Sequence, residues 1–236
     1  ASKYLNCFLD IEPSSLQRLS PIGAINIRFL KTSSFIEYGD NNDLYGVVFS
    51  ISEEIMNDKD NKIQELIDKE SIRELVNLYC RAADRHDHEL MRSLYHEDAT
   101  DDHGSFFKGK AMDFIDMLPD IQKNMGILHH NVTTHNIKMI DENNADGETY
   151  IIAFHQVLSE PENFDVLIGG RYFDQYQKRD GIWKFLSRAV DADWVYVSDP
   201  SKVNLDHPMI KGAHIGVPGN KDPLFKILKS AVWGQD

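Results

Sequence analysis

The sequence predicts an α+β domain in which helices come first and a strongly curved antiparallel sheet wraps around them. Three observations carry this. Apolar residues recur at helical spacing from Ile63 to Ala83. Four long runs of β-forming residues then fill most of 129–197. Turn chemistry joins those runs: an Asn/Asp-rich stretch at 141–146 and the tight Arg179-Asp180-Gly181. A sheet wrapped around the first helix leaves a pocket at its open end.

The elements follow in chain order. Residues 1–60 are an N-terminal extension with two apolar runs, 24–30 and 44–51, whose β-branched and aromatic content predicts two strands. The charged stretch 53–62 reads as a solvated linker or a helix start. The main domain spans 61–197. Its first helix places Ile63, Leu66, Ile67, Ile72, Leu75, Val76, Tyr79 and Ala83 on one stripe facing the sheet. Asp87 is the expected N-cap of a second helix carrying Leu90, Met91, Leu94 and Tyr95. A short extended piece, 105–108, lies between Gly104 and Gly109, and a third helix covers 111–121. Strands are expected at 129–140, 149–159, 164–178 and 182–197. Residues 198–236 form a proline-containing tail. Its amphipathic end, 224–233, would pack on a neighbouring subunit or cover the pocket.

Composition narrows the function. A net charge of -13 argues against nucleic acid or an anionic membrane as partner. No apolar run approaches the roughly 20 residues needed to span a bilayer, and no basic region followed by an apolar core opens the chain. Cys7 and Cys80 make no disulfide framework, so a reducing, cytoplasmic setting is expected. Asn131-Val132-Thr133 is a glycosylation sequon in form, but it falls inside a strand.

Several side chains could carry chemistry. Asp84 sits where the first helix should end, and there the helix dipole disfavours a carboxylate by up to about 1 kcal/mol. Either it pairs locally with Arg85 or caps a turn, or a functional partner justifies it. His130 opens the first long strand and shares a face with Val132, Thr134 and Asn136; an imidazole among apolar neighbours works as a base near neutral pH. His129 points to the opposite face. Tyr79 lies five residues before Asp84 within the apolar stripe, as a core residue or as a donor to a substrate oxygen. His155 shares a face with Ala153 and Val157, and Arg171 with Gly169 and Phe173; Arg188 lies on the last strand near Trp194. An inward arginine requires an acidic partner or a substrate anion. The His- and Asp-rich stretches 86–88, 96–98 and 101–103 match no metal-ligand spacing and fit a helix end, a cap and a turn, so no metal is expected. No nucleophile elbow, P-loop or dinucleotide fingerprint occurs.

The segment Ser71-Ile72-Arg73-Glu74-Leu75 through Tyr79-Cys80-Arg81-Ala82-Ala83-Asp84 resembles the first helix of the SnoaL-like, nuclear-transport-factor-like superfamily. His130 with Thr134 and Ile137 resembles that superfamily's histidine-bearing strand. The stretch Leu167-Ile168-Gly169-Gly170-Arg171-Tyr172, followed by Arg179-Asp180-Gly181-Ile182-Trp183-Lys184-Phe185, resembles its paired C-terminal strands. The motifs are nearest to the scytalone dehydratase, hexachlorocyclohexane dehydrochlorinase and bile-acid dehydratase branches. The resemblance implies a cone-shaped barrel over about 70–197 and a lyase that needs no cofactor. The reaction would be dehydration or dehydrohalogenation of a hydrophobic cyclic or polyketide/terpenoid-like small molecule. Asp84, His130 and Tyr79 are the implied catalytic residues, and Arg171, His155 and Trp194 the substrate-binding ones. A homo-oligomer, with a trimer favoured, is also implied. An isomerase or cyclase, or a non-catalytic binding or assembly domain, is the alternative.

Overall fold

The computed structural model describes residues 27–30, 33–36, 43–231 and 233, with side chains described from Met56 onward. The chain divides into two units, 1–62 and 63–236. In the first, β1 (Ile27–Leu30) and β2 (Ser33–Ile36) pair antiparallel, Ile27 opposite Ile36. The run 44–51, expected as a second strand, is instead the start of helix α1 (Asp43–Arg85). A short apolar run has no decisive period of its own. No glycine or proline interrupts 47–85, so nothing in that stretch stops a helix from propagating.

In the second unit, α1 buries Ile72, Leu75, Val76, Tyr79, Cys80 and Ala82. Ile63, Leu66 and Ile67, expected on the same buried stripe, are exposed. The buried face begins near Asp68, whose carboxylate accepts from Trp183 Nε1 at 2.8 Å and Lys178 Nζ at 3.0 Å. Asp87 caps α2 (His88–Ser93), its Oδ1 accepting from the Leu90 N–H at 3.1 Å. The helix stops earlier than its apolar pattern suggests. Phe185 N–H donates to Leu94 O at 3.0 Å, and the Tyr95 ring lies 4.9 Å from that of Phe185. The chain is thereby drawn into β3 (Tyr95–Asp102), a strand too polar to read from sequence. Short β4 (Lys108–Lys110) and helix α3 (Ala111–Gln122) follow.

The four long strands are β5 (Met125–Met139), β6 (Asn144–Val157), β7 (Phe164–Arg179) and β8 (Ile182–Ser198). They form the expected meander within a six-stranded sheet of order β4-β3-β8-β7-β6-β5. Only β3–β8 is parallel. The β7–β8 turn holds Asp180 at φ 53° and Gly181 at φ 79°, the paired positive φ of a two-residue hairpin matched to strand twist. Among the register irregularities that curve the sheet, two set which side chains face inward near the candidate site. In β5, Val132 opposes Ile151 and Thr134 opposes Tyr150, so Thr133 is an extra residue. In β8, Gly169 opposes Trp194 and Gly170 opposes Ala192, leaving Asp193 as the bulge. Gly170 is required there, because a Cβ would lie 2.2 Å from Asp191 O. The inner face packs Ile151, Ala153, Tyr172, Tyr176 and Phe185 into one core with α1.

The tail folds back on the end of α1. Gly219 N–H donates to Arg85 O at 2.8 Å, and Arg85 Nε lies 3.6 Å from Asp222 Oδ2. The expected amphipathic segment 224–233 is helical only over α4 (Leu224–Ile227). Among the described residues, no helix is long and apolar enough to cross a membrane.

Candidate active site

The end of α1 faces the start of β5, and this juxtaposition explains the carboxylate at a helix C-terminus. Asp84 Oδ1 lies 2.6 Å from His130 Nδ1, and the His130 backbone N–H donates to Asp84 Oδ2 at 3.0 Å. Both side chains are largely buried. The bonds from the ring and the backbone offset the unfavourable helix dipole.

With Nδ1–H committed to Asp84, the tautomer that follows leaves the Nε2 lone pair of His130 free. That nitrogen lies 3.3 Å from Nε2 of His155. Burial, helped by the neighbouring His130, pushes the His155 pKa down to about 4, so the ring is neutral at neutral pH. A neutral His155 carrying its proton on Nε2 donates into His130, and the three side chains form one chain, Asp84–His130–His155.

The strand register places these rings on the concave face. His130 opposes Ala153, which opposes Ile168, which opposes Val195; His155 opposes Val166, which opposes Val197. Val195 and Val197 are 61% and 50% exposed. The imidazoles therefore lie beside an apolar half of the inner face that is open. A cleft of about 300 Å³ between α1 and β5 also reaches the pair, lined by Asn77, Cys80, Arg81, Asp84, Arg85, His129, His130 and Val132. A second, of about 240 Å³, lies between β5 and the tail, where Asp84 and His129 meet Leu205, Ile215 and Pro218.

The other half of the inner face is filled. Arg188, 1% exposed, makes a two-point contact with Asp174, Nε to Oδ1 and Nη2 to Oδ2, both at 2.8 Å. Its guanidinium lies 3.9 Å from the Tyr79 ring centroid, 4.0 Å from Tyr172 and 4.2 Å from Phe185. Tyr176 donates to Asp174 Oδ2 at 2.8 Å, and His135 Nε2 lies 3.2 Å from the Tyr176 hydroxyl. Burial is the first cause of the raised Tyr79, Tyr172 and Tyr176 phenols and of the His135 pKa near 4. Tyr79 thus sits in a packed aromatic cage. Among the described residues it makes no hydrogen bond to Asp84, His130 or His155.

Two expected site residues lie elsewhere. Arg171 alternates with the inward Gly170 and Tyr172, so it points to the outer face. There it meets Asp191 at 2.6 Å, Asp193 at 3.1 Å and Glu148 at 3.3 Å, and lies over Phe173 and Tyr150. Trp194, 48% exposed, lies over Gly169 on that same outer face. The β8 bulge shifts the parity of the strand, so Trp194 does not share the face of Arg188. The same effect moves Thr134 and Asn136 off the His130 face, and His135 and Ile137 take their place. Sequence reading missed the Arg188–Asp174–Tyr176–His135 chain. The alternation Tyr172, Asp174, Tyr176 was its one available signal; the bulge that turns His135 inward left none. The His- and Asp-rich stretches disperse: His88 meets Gln122, His96 meets Gln177 O, and His103 Nδ1 lies 2.7 Å from Asp101 Oδ1.

An open, curved six-stranded sheet packed against a helix, with an Asp–His pair at one end, is an α+β cone of the nuclear-transport-factor-like type. Residues 64–189 match the family model described as SnoaL-like domain, and the chain belongs to that family. Solved structures share the fold. A scytalone dehydratase candidate from Novosphingobium aromaticivorans is 21% identical at TM-score 0.53, covering 61% of this chain and 99% of that one. A hexachlorocyclohexane dehydrochlorinase, LinA-type3 from Novosphingobium barchaimii, is 16% identical at TM-score 0.56, covering 61% and 98%. An aromatic ring hydroxylase candidate from Novosphingobium aromaticivorans is 20% identical at TM-score 0.51, covering 56% and 93%. No curated protein sequence matches the chain.

Proposed function

We propose that the protein is a lyase, a dehydratase or dehydrohalogenase of a hydrophobic small molecule, in which His130 is the base. The observation that carries this is the Asp84–His130–His155 chain beside an open apolar surface. Likeness of fold to a dehydratase candidate and a dehydrochlorinase supports it.

The chemistry follows from the bonds. Substrate enters over Ile168, Val195 and Val197 and displaces the His155 contact to His130. His130 Nε2 removes a proton from carbon, and Asp84 stabilises the imidazolium that forms. The C–H electron pair becomes the new double bond, and the C–O or C–halogen pair departs with the leaving group. A departing hydroxide takes the proton from His130 and leaves as water, restoring the site. A halide leaves as the anion, and the proton passes to solvent. His155, neutral, donates a hydrogen bond to an oxygen of the substrate. Tyr79 and Arg188 form the fixed floor beneath.

The test is a panel of hydroxylated and halogenated cyclic compounds, read by mass spectrometry for loss of water or hydrogen halide. H130A should lower the rate by about 100- to 10,000-fold, the range for a lost general base, with an unchanged circular dichroism spectrum. Turnover by H130A close to the parent's overturns the proposal. A product of unchanged mass assigns the same base to isomerisation.

A further inference from the structure

The cleft between α1 and β5 holds a guanidinium that, among the described residues, is paired with no carboxylate. Arg81 lies one helical turn before Arg85, and both line the cleft that His130 reaches. Arg81 Nη2 is buried and, among the described residues, has no hydrogen-bond partner, and Arg81 makes no ion pair. Its Cζ lies 5.8 Å from the centroid of the Phe225 ring. Stacking of that sort holds the face of the fork and leaves its edge to bind. Arg85 is only loosely matched, at 3.6 Å from Asp222.

Both carboxylates nearby are already engaged. Asp84 accepts from the ring and backbone of His130. Asp222 accepts from Val217 N–H at 3.0 Å and Leu224 N–H at 2.8 Å, which fixes the tail. A buried donor with no acceptor is costly, by about 1–3 kcal/mol for a neutral group and more for a charged one. Such a donor in a cleft beside a second arginine suits an oxyanion, which takes two parallel N–H bonds from a guanidinium edge.

We infer that Arg81 and Arg85 form a subsite for a carboxylate or phosphoryl group borne by the molecule on which His130 acts. This deepens the lyase reading and rests on it for the identity of that molecule, though not for the binding itself. Arg81 anchors the anion, and Arg85, tied to the tail through Asp222, closes the cleft behind it. The substrate would then be amphipathic, with an anionic end in this cleft and an apolar body over Val195 and Val197.

The full chain is titrated with inorganic phosphate and, separately, with benzoate at constant ionic strength, followed by NMR of the arginine Nε–H and histidine Cε1–H resonances. Saturable binding of at least one probe is expected, with Arg81 and Arg85 shifting first. R81Q should weaken it at least tenfold and R81K less, while H130Q, which abolishes elimination, retains it. Phosphate binding alone assigns a phosphoryl group, and benzoate binding alone a carboxylate. Absence of saturation by either probe, shifts centred on other arginines, or equal affinity in R81Q overturns the inference. H130Q separates the two claims: failure of the lyase reading leaves phosphate or benzoate binding intact, and failure here leaves elimination by His130 intact.

Discussion

Acid should unfold this protein through two histidines before its carboxylates matter. His155 and His135 are both pushed down to about 4 from an ordinary 6.5, in each case chiefly by burial. In the unfolded chain both rings bind a proton as pH falls through about 6.5; in the folded protein they refuse it until about pH 4. The unfolded state therefore holds more protons across that window, and stability is lost as pH drops from about 6.5 to about 4, then levels. A shift of this size corresponds to about 3 kcal/mol per histidine, and partial solvent contact lowers it to about 2. Together they amount to about 4–6 kcal/mol, a large part of the 5–15 typical of a domain. Guanidinium unfolding at pH 7 and at pH 4 measures the loss. In H155Q and H135Q the gap between the two pH values should shrink by about 2 kcal/mol each. Variants whose gap equals the parent's, or ring resonances that titrate near 6.5, would refute the reasoning.

Removing Arg188 in R188M strands the buried Asp174 and should cost about 3–5 kcal/mol, read as a fall in melting temperature; the double variant R188M/D174N should recover part of it. G170A forces a Cβ against the Asp191 carbonyl, whereas G169A meets the side chain of Trp194, which is free to swing. The first should cost about 2–3 kcal/mol and the second about 1, by chemical denaturation. Trp194 and Tyr196, 48% and 64% exposed, are large aromatic side chains on the outer face where copies of the chain are expected to meet. Y196D should reduce the mass seen by light scattering.

The hairpin and the meander were legible because their signals are local. Asp180-Gly181 tolerates positive φ, and runs of β-branched residues end at turn chemistry. Asp84 and His130 were legible individually, as a carboxylate misplaced on a helix dipole and an imidazole at a strand's start. The strand Tyr95–Asp102 was not, since its residues are polar and its stability comes from pairing with β8. Arg171 and Arg188 look alike in sequence, yet one faces carboxylates on the outside and the other is locked in the core.

By itself, the sequence determined the long helix and the four-stranded meander of the main domain, and which residue types could remove a proton. Those depend on propensity and period, which neighbours along the chain set. Tertiary structure alone decided which side chains meet. Extra residues at Thr133 and Asp193 invert strand parity, turning His135 inward and Trp194 outward. His155 meets His130 across paired strands, and among the described residues Arg81 is left without a carboxylate partner. Such meetings follow from register and curvature, which hydrogen bonding between distant strands fixes and no short stretch of sequence encodes.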